Sequence, residues 1–524
     1  MRRFALHLLA AQPGPGSISY TSKRFRTRFF PLPASCSSLL FWTRFFPLPA
    51  SCFSLLLLTV MLSGCMVGPD YRRPAVEMPK AFHYEQKDAL DTANTAWWKE
   101  FHDPVLDCLI VEALANNKSV KAAAANVEQA VGVLTQTRAP LFPQATYSGD
   151  AARTRQSKSE LGPFYGLAPN TSNSFDLLAG ATWEIDLWGR IRRLTESARA
   201  NLLATDEARR GVILSLVASV AGSYLQLRGL DEQLEIARRT LATYGKSVKL
   251  FELQFAHGQV SMMTVEQARS QYENVAATIP QIESQIAQTE NGICILLGRN
   301  PGPIKRGNPL SRIAIPAIPA GLPSQLLERR PDLAQAEQNL VAANAQIGAA
   351  KALYFPTISL TAALGVQSSD LSQLFQGPAR TWSYAGSFAG PIFTAGAIAG
   401  QVKQARAMRE AALQNYKNAI LSSFGDVENS LVSRRKLSEQ LLAQERFVVA
   451  LKNYDRLAWM QYNGGYTSYL TVLNAEEQLF PAELTCAQVR ASVLEAIVTI
   501  YKAMGGGWVN SADKLTSPCV CAPH

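Results

Sequence analysis

Leu250–Gln271 reads LFELQFAHGQVSMMTVEQARSQ, and Leu457–Gln478 reads LAWMQYNGGYTSYLTVLNAEEQ. At a shift of 207 residues, eight of these 22 positions are identical, including Gly258 with Gly465 and Val265 with Val472. The same shift sets Gly298 on Gly505. Earlier, RAPLFPQ (Arg138–Gln144) matches KALYFPT (Lys351–Thr357) at a shift of 213. Self-similarity over such distances means two copies of one structural unit. The chain divides into a leader (1–64), an N-terminal segment (65–103), repeat one (104–300), a linker (301–324), repeat two (325–507) and a tail (508–524).

Around the first glycine turn the pattern is helical. Ile213, Val220, Leu227, Leu234, Leu241, Val248 and Phe255 recur every seven residues. Leu216, Ser223, Leu230, Ala237, Tyr244 and Phe251 form the partner seam. Sustained heptads predict coiled-coil packing of a helix about 100 Å long, at 1.5 Å per residue. After Gly258 the stripe resumes through Val265, Ala268, Val275, Ile282 and Ile293, which predicts an antiparallel return helix over 190–298 as a pair. Pro280 lies inside it and should kink it. Repeat two carries the same pair over 396–504, with Pro481 as the equivalent proline.

Between the helices the period changes to two. Phe175, Leu177, Ala179, Ala181, Trp183, Ile185 and Leu187 alternate with mostly small or polar neighbours. So do Ile358, Leu360, Ala362, Leu364 and Val366, and Trp382, Tyr384 and Phe388. Four strands are expected, at about 144–154, 174–188, 357–367 and 381–393, of the length that crosses an outer membrane. Four strands cannot close a membrane barrel, and open edges in lipid leave backbone groups unsatisfied. Either they form a soluble sheet, or several chains share one barrel; three chains would give twelve strands. The pair Glu184 and Asp186 reads as polar lining of such a channel.

The N-terminus carries an address. Arg2, Arg3, Lys23, Arg24, Arg26, Arg28 and Arg44 stand in the first 64 residues with no acidic residue, and they account for most of the net charge of +10. The rest is nearly neutral, which excludes a basic nucleic-acid surface. The apolar run Phe53–Leu62 ends in Leu62-Ser63-Gly64-Cys65, a secretory pattern that resembles a bacterial lipobox. That resemblance implies cleavage before Cys65 and diacylglycerol on its sulfur. Met66, rather than an aspartate, favours the outer membrane. TRFFPLPASC occurs twice, at 27–36 and 43–52, which reads as a duplicated leader or a misplaced start codon and carries no function. The other cysteines after the anchor (Cys108, Cys294, Cys486, Cys519, Cys521) lack metal-site spacing. No HExxH, GxxxxGK[ST], GxSxG or GxGxxG occurs, so neither a catalytic constellation nor a cofactor is expected. The most apolar helical stretch, Val212–Leu227, is interrupted by serines and too short to span a bilayer.

WWKEFHDPVLDCLI (Trp97–Ile110), WEIDLWGR (Trp183–Arg190), the two glycine turns and the lipobox together resemble the TolC-like outer membrane factor family, and within it the OprM/NodT-type lipoproteins. The resemblance implies an α+β membrane protein. Its homotrimer forms a 12-stranded outer-membrane β-barrel, four strands per chain, continuous with a periplasmic α-helical barrel. It implies partners as well: outer-membrane lipid, a periplasmic adaptor protein and an inner-membrane pump of the RND type. The duct would export small hydrophobic or amphiphilic compounds such as drugs. Alternatives are the duct of a type I protein secretion system and a pore-less lipid-anchored coiled coil. By the same resemblance, Gly258, Gln259, Gly465 and Tyr466 are the adaptor-contact tips. Thr264, Tyr462, Thr471 and Asn474 stand at the periplasmic gate. Family members with an acidic ring carry aspartate at positions matching Thr264, Thr471 and Asn474. This chain lacks all three, which implies weak cation block and a gate held by hydrogen bonds and packing. Trp183, Trp188, Trp382 and Tyr384 are expected to form an aromatic girdle.

Overall fold

The computed structural model describes residues 66–76, 96–155, 157, 171–316 and 329–505. The leader, Cys65 and the tail with Cys519 and Cys521 lie outside the described residues. Among those described, the helices are α1 (Pro104–Asn116), α2 (Lys118–Arg138), α3 (Arg190–Ala256), α4 (Met262–Leu297), α5 (Pro331–Ala352), α6 (Ala397–Asn463) and α7 (Tyr469–Ala503). The strands are β1 (Gln144–Arg155), β2 (Thr171–Ile185), β3 (Thr357–Ser368) and β4 (Arg380–Ala389). They form one antiparallel sheet in the order β1-β2-β3-β4. The long helices α3 and α6 start and end 207 residues apart, so the sequence repeat is also a structural one.

Two strands end earlier than the alternation implies. β2 stops at Ile185 because Gly189 turns at φ 77°, leaving Trp188 beyond the strand. β4 stops at Ala389 because Gly390 and Pro391 follow, and proline has no N–H for the ladder. Neither Pro280 nor Pro481 ends its helix; α4 and α7 run through them.

The heptad seams behave differently. Leu216, Leu230, Ala237, Tyr244 and Phe251 stay buried along α3. In the other seam Ile213, Val220 and Leu227 are buried, but Phe255 is exposed. An α-helix drifts about 20° per heptad against a 3.5-residue repeat, so over six heptads one stripe rotates out. Among the described residues, two helices, α3 and α7, are long and apolar enough to cross a membrane, but most of the apolar stretch in each is buried within the chain.

The Trp97–Ile110 motif is a structural hub. Trp97 is fully buried, stacked on Tyr501 of α7 at 5.1 Å and edge-on to Trp98. Asp103 caps α1 by accepting from the backbone N–H groups of Val105 (2.9 Å) and Leu106 (3.2 Å). It also accepts from the Tyr224 hydroxyl and the Asn308 N–H, both at 3.0 Å.

Candidate functional site

The strand register sorts the sheet into two faces. Residues paired directly across antiparallel strands point the same way. On one face stand Tyr147 opposite Ala179, Trp183 opposite Leu360, Ala181 opposite Ala362, Leu364 opposite Trp382, and Phe388 opposite Ile358. On the other stand Thr146 opposite Gly180, Thr182 opposite Thr361, Glu184 opposite Ser359, and Ser383 opposite Ala363. Among the described residues, no helix covers the apolar face: Tyr147 is 88 % exposed, Tyr384 78 % and Phe388 73 %. A soluble sheet would bury that face and wet the other. Here the apolar face suits lipid and the polar face suits water, the arrangement of a membrane barrel wall.

The girdle residues fall at two heights. Trp382 and Tyr384 stack at 5.7 Å near the loop end of β4. Trp183 lies near the helix end of β2 and donates its indole N–H to the Leu141 carbonyl at 3.0 Å. Trp188 sits below the sheet, stacked on Phe355 at 4.6 Å, and donates to the Pro356 carbonyl at 2.8 Å.

The WEIDLWGR motif clamps strand to helix. Arg190 bonds both oxygens of Glu184 at 2.8 Å. Asp186 accepts from the Arg192 N–H at 2.8 Å, supplying the helix cap that Gly189 lacks. Glu184 stands on the polar face, where channel lining was expected, and Asp186 lies beyond the end of β2; both carboxylates are engaged in this junction. The lumen carboxylates that alternation did not single out are Asp150 and Asp176, direct cross-strand partners on the polar face. Among the described residues no cation pairs with either. Like charges held opposite one another repel, and rings of carboxylates in a pore favour cations. The double substitution Asp150→Asn/Asp176→Asn should lower the potassium-over-chloride permeability ratio several-fold, read as a reversal-potential shift in a salt gradient. An unshifted potential would remove these residues from the lumen.

The chain just after Cys65 is fastened at the same junction. The Val67 N–H donates to the Trp188 carbonyl at 3.1 Å. Arg193, almost fully buried, reaches Asp70 and Glu196 at 2.8 Å each. A side chain on Gly68 (φ 108°) would strike the Gly348 Cα of α5. Met66 packs against Gly189, so the residue next to the cysteine lies where sheet gives way to helix.

At the far end of the long helices the two tips share one geometry. Gly258 (φ 71°) donates to the Phe255 carbonyl at 2.9 Å, and Gln259 to the Gln254 carbonyl at 2.8 Å. Gly465 (φ 77°) donates to Tyr462 at 3.0 Å, and Tyr466 to Gln461 at 2.9 Å. Both are Schellman caps, which need glycine for the positive φ. Gln259 and Tyr466 are presented outward; Tyr466 is 88 % exposed.

Of the residues expected at the gate, Tyr462 packs edge-on to Phe251, Trp459 and Tyr469, at 6.1, 6.0 and 5.9 Å between ring centres. Thr471 shares a hydroxyl–hydroxyl bond with Thr467 at 2.6 Å. Thr264 pairs with Ser261 in the other hairpin. Asn474 is exposed. Phe251, Val265, Ala268, Ala458, Tyr469, Val472 and Ala475 form one buried cluster that joins the two hairpins.

Sequence reasoning missed the buried acid beside that cluster. Glu476 is 3 % exposed and accepts hydrogen bonds from the side chains of Trp459 and Tyr469. Tyr244 of α3 donates to its backbone carbonyl at 3.1 Å, and Asp455 of α6 faces it. Burial first, and Asp455 second, push its carboxyl up to about 7. The signal was available: Glu476 stands four residues after Val472 and seven after Tyr469, on the buried stripe of α7. Below the ordinary glutamate value of 4.5, folded and unfolded chains are both protonated there. As pH rises towards 7 the unfolded chain loses the proton and the fold keeps it. The fold therefore loses stability across that window, by on the order of 1.4 kcal/mol per pH unit. Glu476→Gln should flatten the loss between about pH 4.5 and 7 and change little at pH 4. Amide exchange in α6 and α7 near the tips at those pH values checks this; an unchanged slope would place the titration elsewhere.

The family described as outer membrane efflux protein matches twice, over residues 109–299 and 322–506. This chain belongs to that family. It is 34 % identical over 457 residues to the cation efflux system protein CusC of Escherichia coli O6:H1, covering 86 % of this chain and 97 % of that one. It is 36 % identical over 457 residues to the toluene efflux pump outer membrane protein TtgC of Pseudomonas putida, covering 86 % and 94 %. The open-state structure of the Neisseria gonorrhoeae MtrE outer membrane channel superposes with a TM-score of 0.76 at 30 % identity, covering 85 % of this chain and 99 % of that one. The chain is thus an outer-membrane efflux channel protein. The sheet is its membrane part, and the long helices extend into the periplasm. The pore-less coiled-coil reading falls with the uncovered apolar face.

Proposed function

We propose that three copies of this chain close a 12-stranded barrel and act as the exit duct of a tripartite system. The duct takes small hydrophobic or amphiphilic compounds from an RND-type inner-membrane pump and a periplasmic adaptor. The observation that carries this is the two-faced, two-edged sheet. Lipid on the apolar face demands that β1 and β4 find partners, and only further copies supply strands of matched height. Diacylglycerol on Cys65 fits the fastening of residues 66–70 at the sheet–helix junction. The tips at Gly258 and Gly465 lie at the opposite end and so point to the inner membrane. Gln259 and Tyr466 are the side chains a periplasmic adaptor would meet, and Tyr462, Thr471, Thr264 and Asn474 line the closure. Near-equal identity to a cation and a toluene efflux protein fits a duct that leaves cargo selection to the pump.

The test is accumulation of a fluorescent hydrophobic dye in energised cells. Deleting the gene should raise dye, and restoring it should reverse the rise. Unchanged dye with loss of a secreted protein would move the assignment to type I protein secretion.

A further inference from the structure

The loop end of the apolar face is basic. Arg153 and Arg155 on β1 share that face with Ala151 and Tyr147, and Arg380, the first residue of β4, shares it with Trp382 and Tyr384. Arg155 and Arg380 are the terminal residues of their strands at this end, where the face also carries Thr171, Asn173 and Ser368 beside Phe175 and Val366. All three arginines are exposed, and among the described residues none has a carboxylate partner. Asp150 and Asp176 point to the opposite face.

The helix end of the same face differs. It is Trp183, Ile185, Ile358 and Phe388, and the cations just below it, Arg190, Arg192 and Arg193, are all held by carboxylates. Among the described residues, positive charge on this face of the strands themselves is thus confined to the end away from the periplasmic helices. That end meets the outer leaflet. β1 and β4 are also the two edges of the sheet. Closing the barrel sets β4 of one copy against β1 of the next, which gathers Arg380 at one boundary with the Arg153 and Arg155 of its neighbour. Guanidinium groups match phosphate with paired N–H donors, and here they sit just beyond the Trp382–Tyr384 stack, at headgroup height.

We propose that these three arginines form a binding site for phosphate-bearing lipid headgroups of the outer leaflet, one site per subunit boundary. The inference rests on the barrel reading of the sheet.

Purified channel in detergent would be titrated with diphosphoryl lipid A and its bound stoichiometry read by native mass spectrometry. Wild type should bind up to three lipids per trimer. The variant Arg153→Gln/Arg155→Gln/Arg380→Gln should bind at least tenfold more weakly, whereas the triple lysine variant should keep part of the affinity. Removing the lipid's phosphates should weaken wild type to the level of the glutamine variant. Equal binding by that variant, or equal binding of the phosphate-free lipid, would overturn the site. So would displacement by equimolar inorganic phosphate, which would make the rim a free-anion site. Single-channel conductance keeps the two readings apart: a glutamine variant that conducts normally has an intact barrel, and a wild type that never conducts refutes the barrel itself.

Discussion

Ala362→Arg is expected to abolish outer-membrane insertion, whereas Ala363→Arg, one residue along, is expected to leave it intact. Both residues stand at the middle of β3. Ala362 lies between Ala181 and Tyr384 on the apolar face, and Ala363 between Gly180 and Ser383 on the polar one. A lipid-facing arginine at the bilayer midplane costs about 2–4 kcal/mol. Three copies in one barrel raise that to on the order of 6–12 kcal/mol, comparable to the whole stability of a typical protein. The neighbouring arginine enters water and pays no such penalty, but it adds three cations to the lumen. Membrane fractionation and a trimer assay on gels separate the two. Ala363→Arg should assemble and show reduced cation preference in a planar bilayer. Equal loss of assembly in both variants would mean that the faces are wrongly assigned.

Asp103→Ala is expected to destabilise the protomer by about 3–5 kcal/mol without touching the duct. The carboxylate is buried, and its loss strands four donors: the N–H groups of Val105, Leu106 and Asn308, and the Tyr224 hydroxyl. Losing a helix cap costs about 1 kcal/mol, and each buried unsatisfied donor about 1–3 kcal/mol. Gly307 is packed so tightly on this carboxylate that even a methyl group there would clash with it. Asp103→Asn should fall between. It keeps one cap oxygen but turns an amide towards groups that are themselves donors. Urea unfolding of the purified protein measures the series. A loss below about 1 kcal/mol for the alanine variant would show that the hub is dispensable.

Much of this was legible in the chain itself. The heptads placed α3 and α4, and the repeat carried them over to α6 and α7 with matching ends. Period-two alternation found all four strands, because each strand has one wet and one lipid face and the pattern is strong. Strand ends were less legible: Gly189 and Pro391 set them through backbone geometry and a missing donor. The gate region was legible only in part. Thr264, Thr471 and Asn474 are non-acidic where the resemblance would place an acidic ring, but Glu476 went unnoticed inside an apparently charged run, Glu476-Glu477. Only a helical count from Tyr469 puts one of the two on the buried stripe.

By itself, the sequence determined the two repeats and the elements in each. These follow from periodicity and composition, which are local properties of the chain. Only the tertiary structure decided which carboxylates are free. Glu184 and Asp186 are held by Arg190 and Arg192, while Asp150 and Asp176 became a facing pair through strand register. A charge's role depends on what lies within about 4 Å of it and on how much water reaches it. Both are set by residues far away in the chain, so no local pattern contains them.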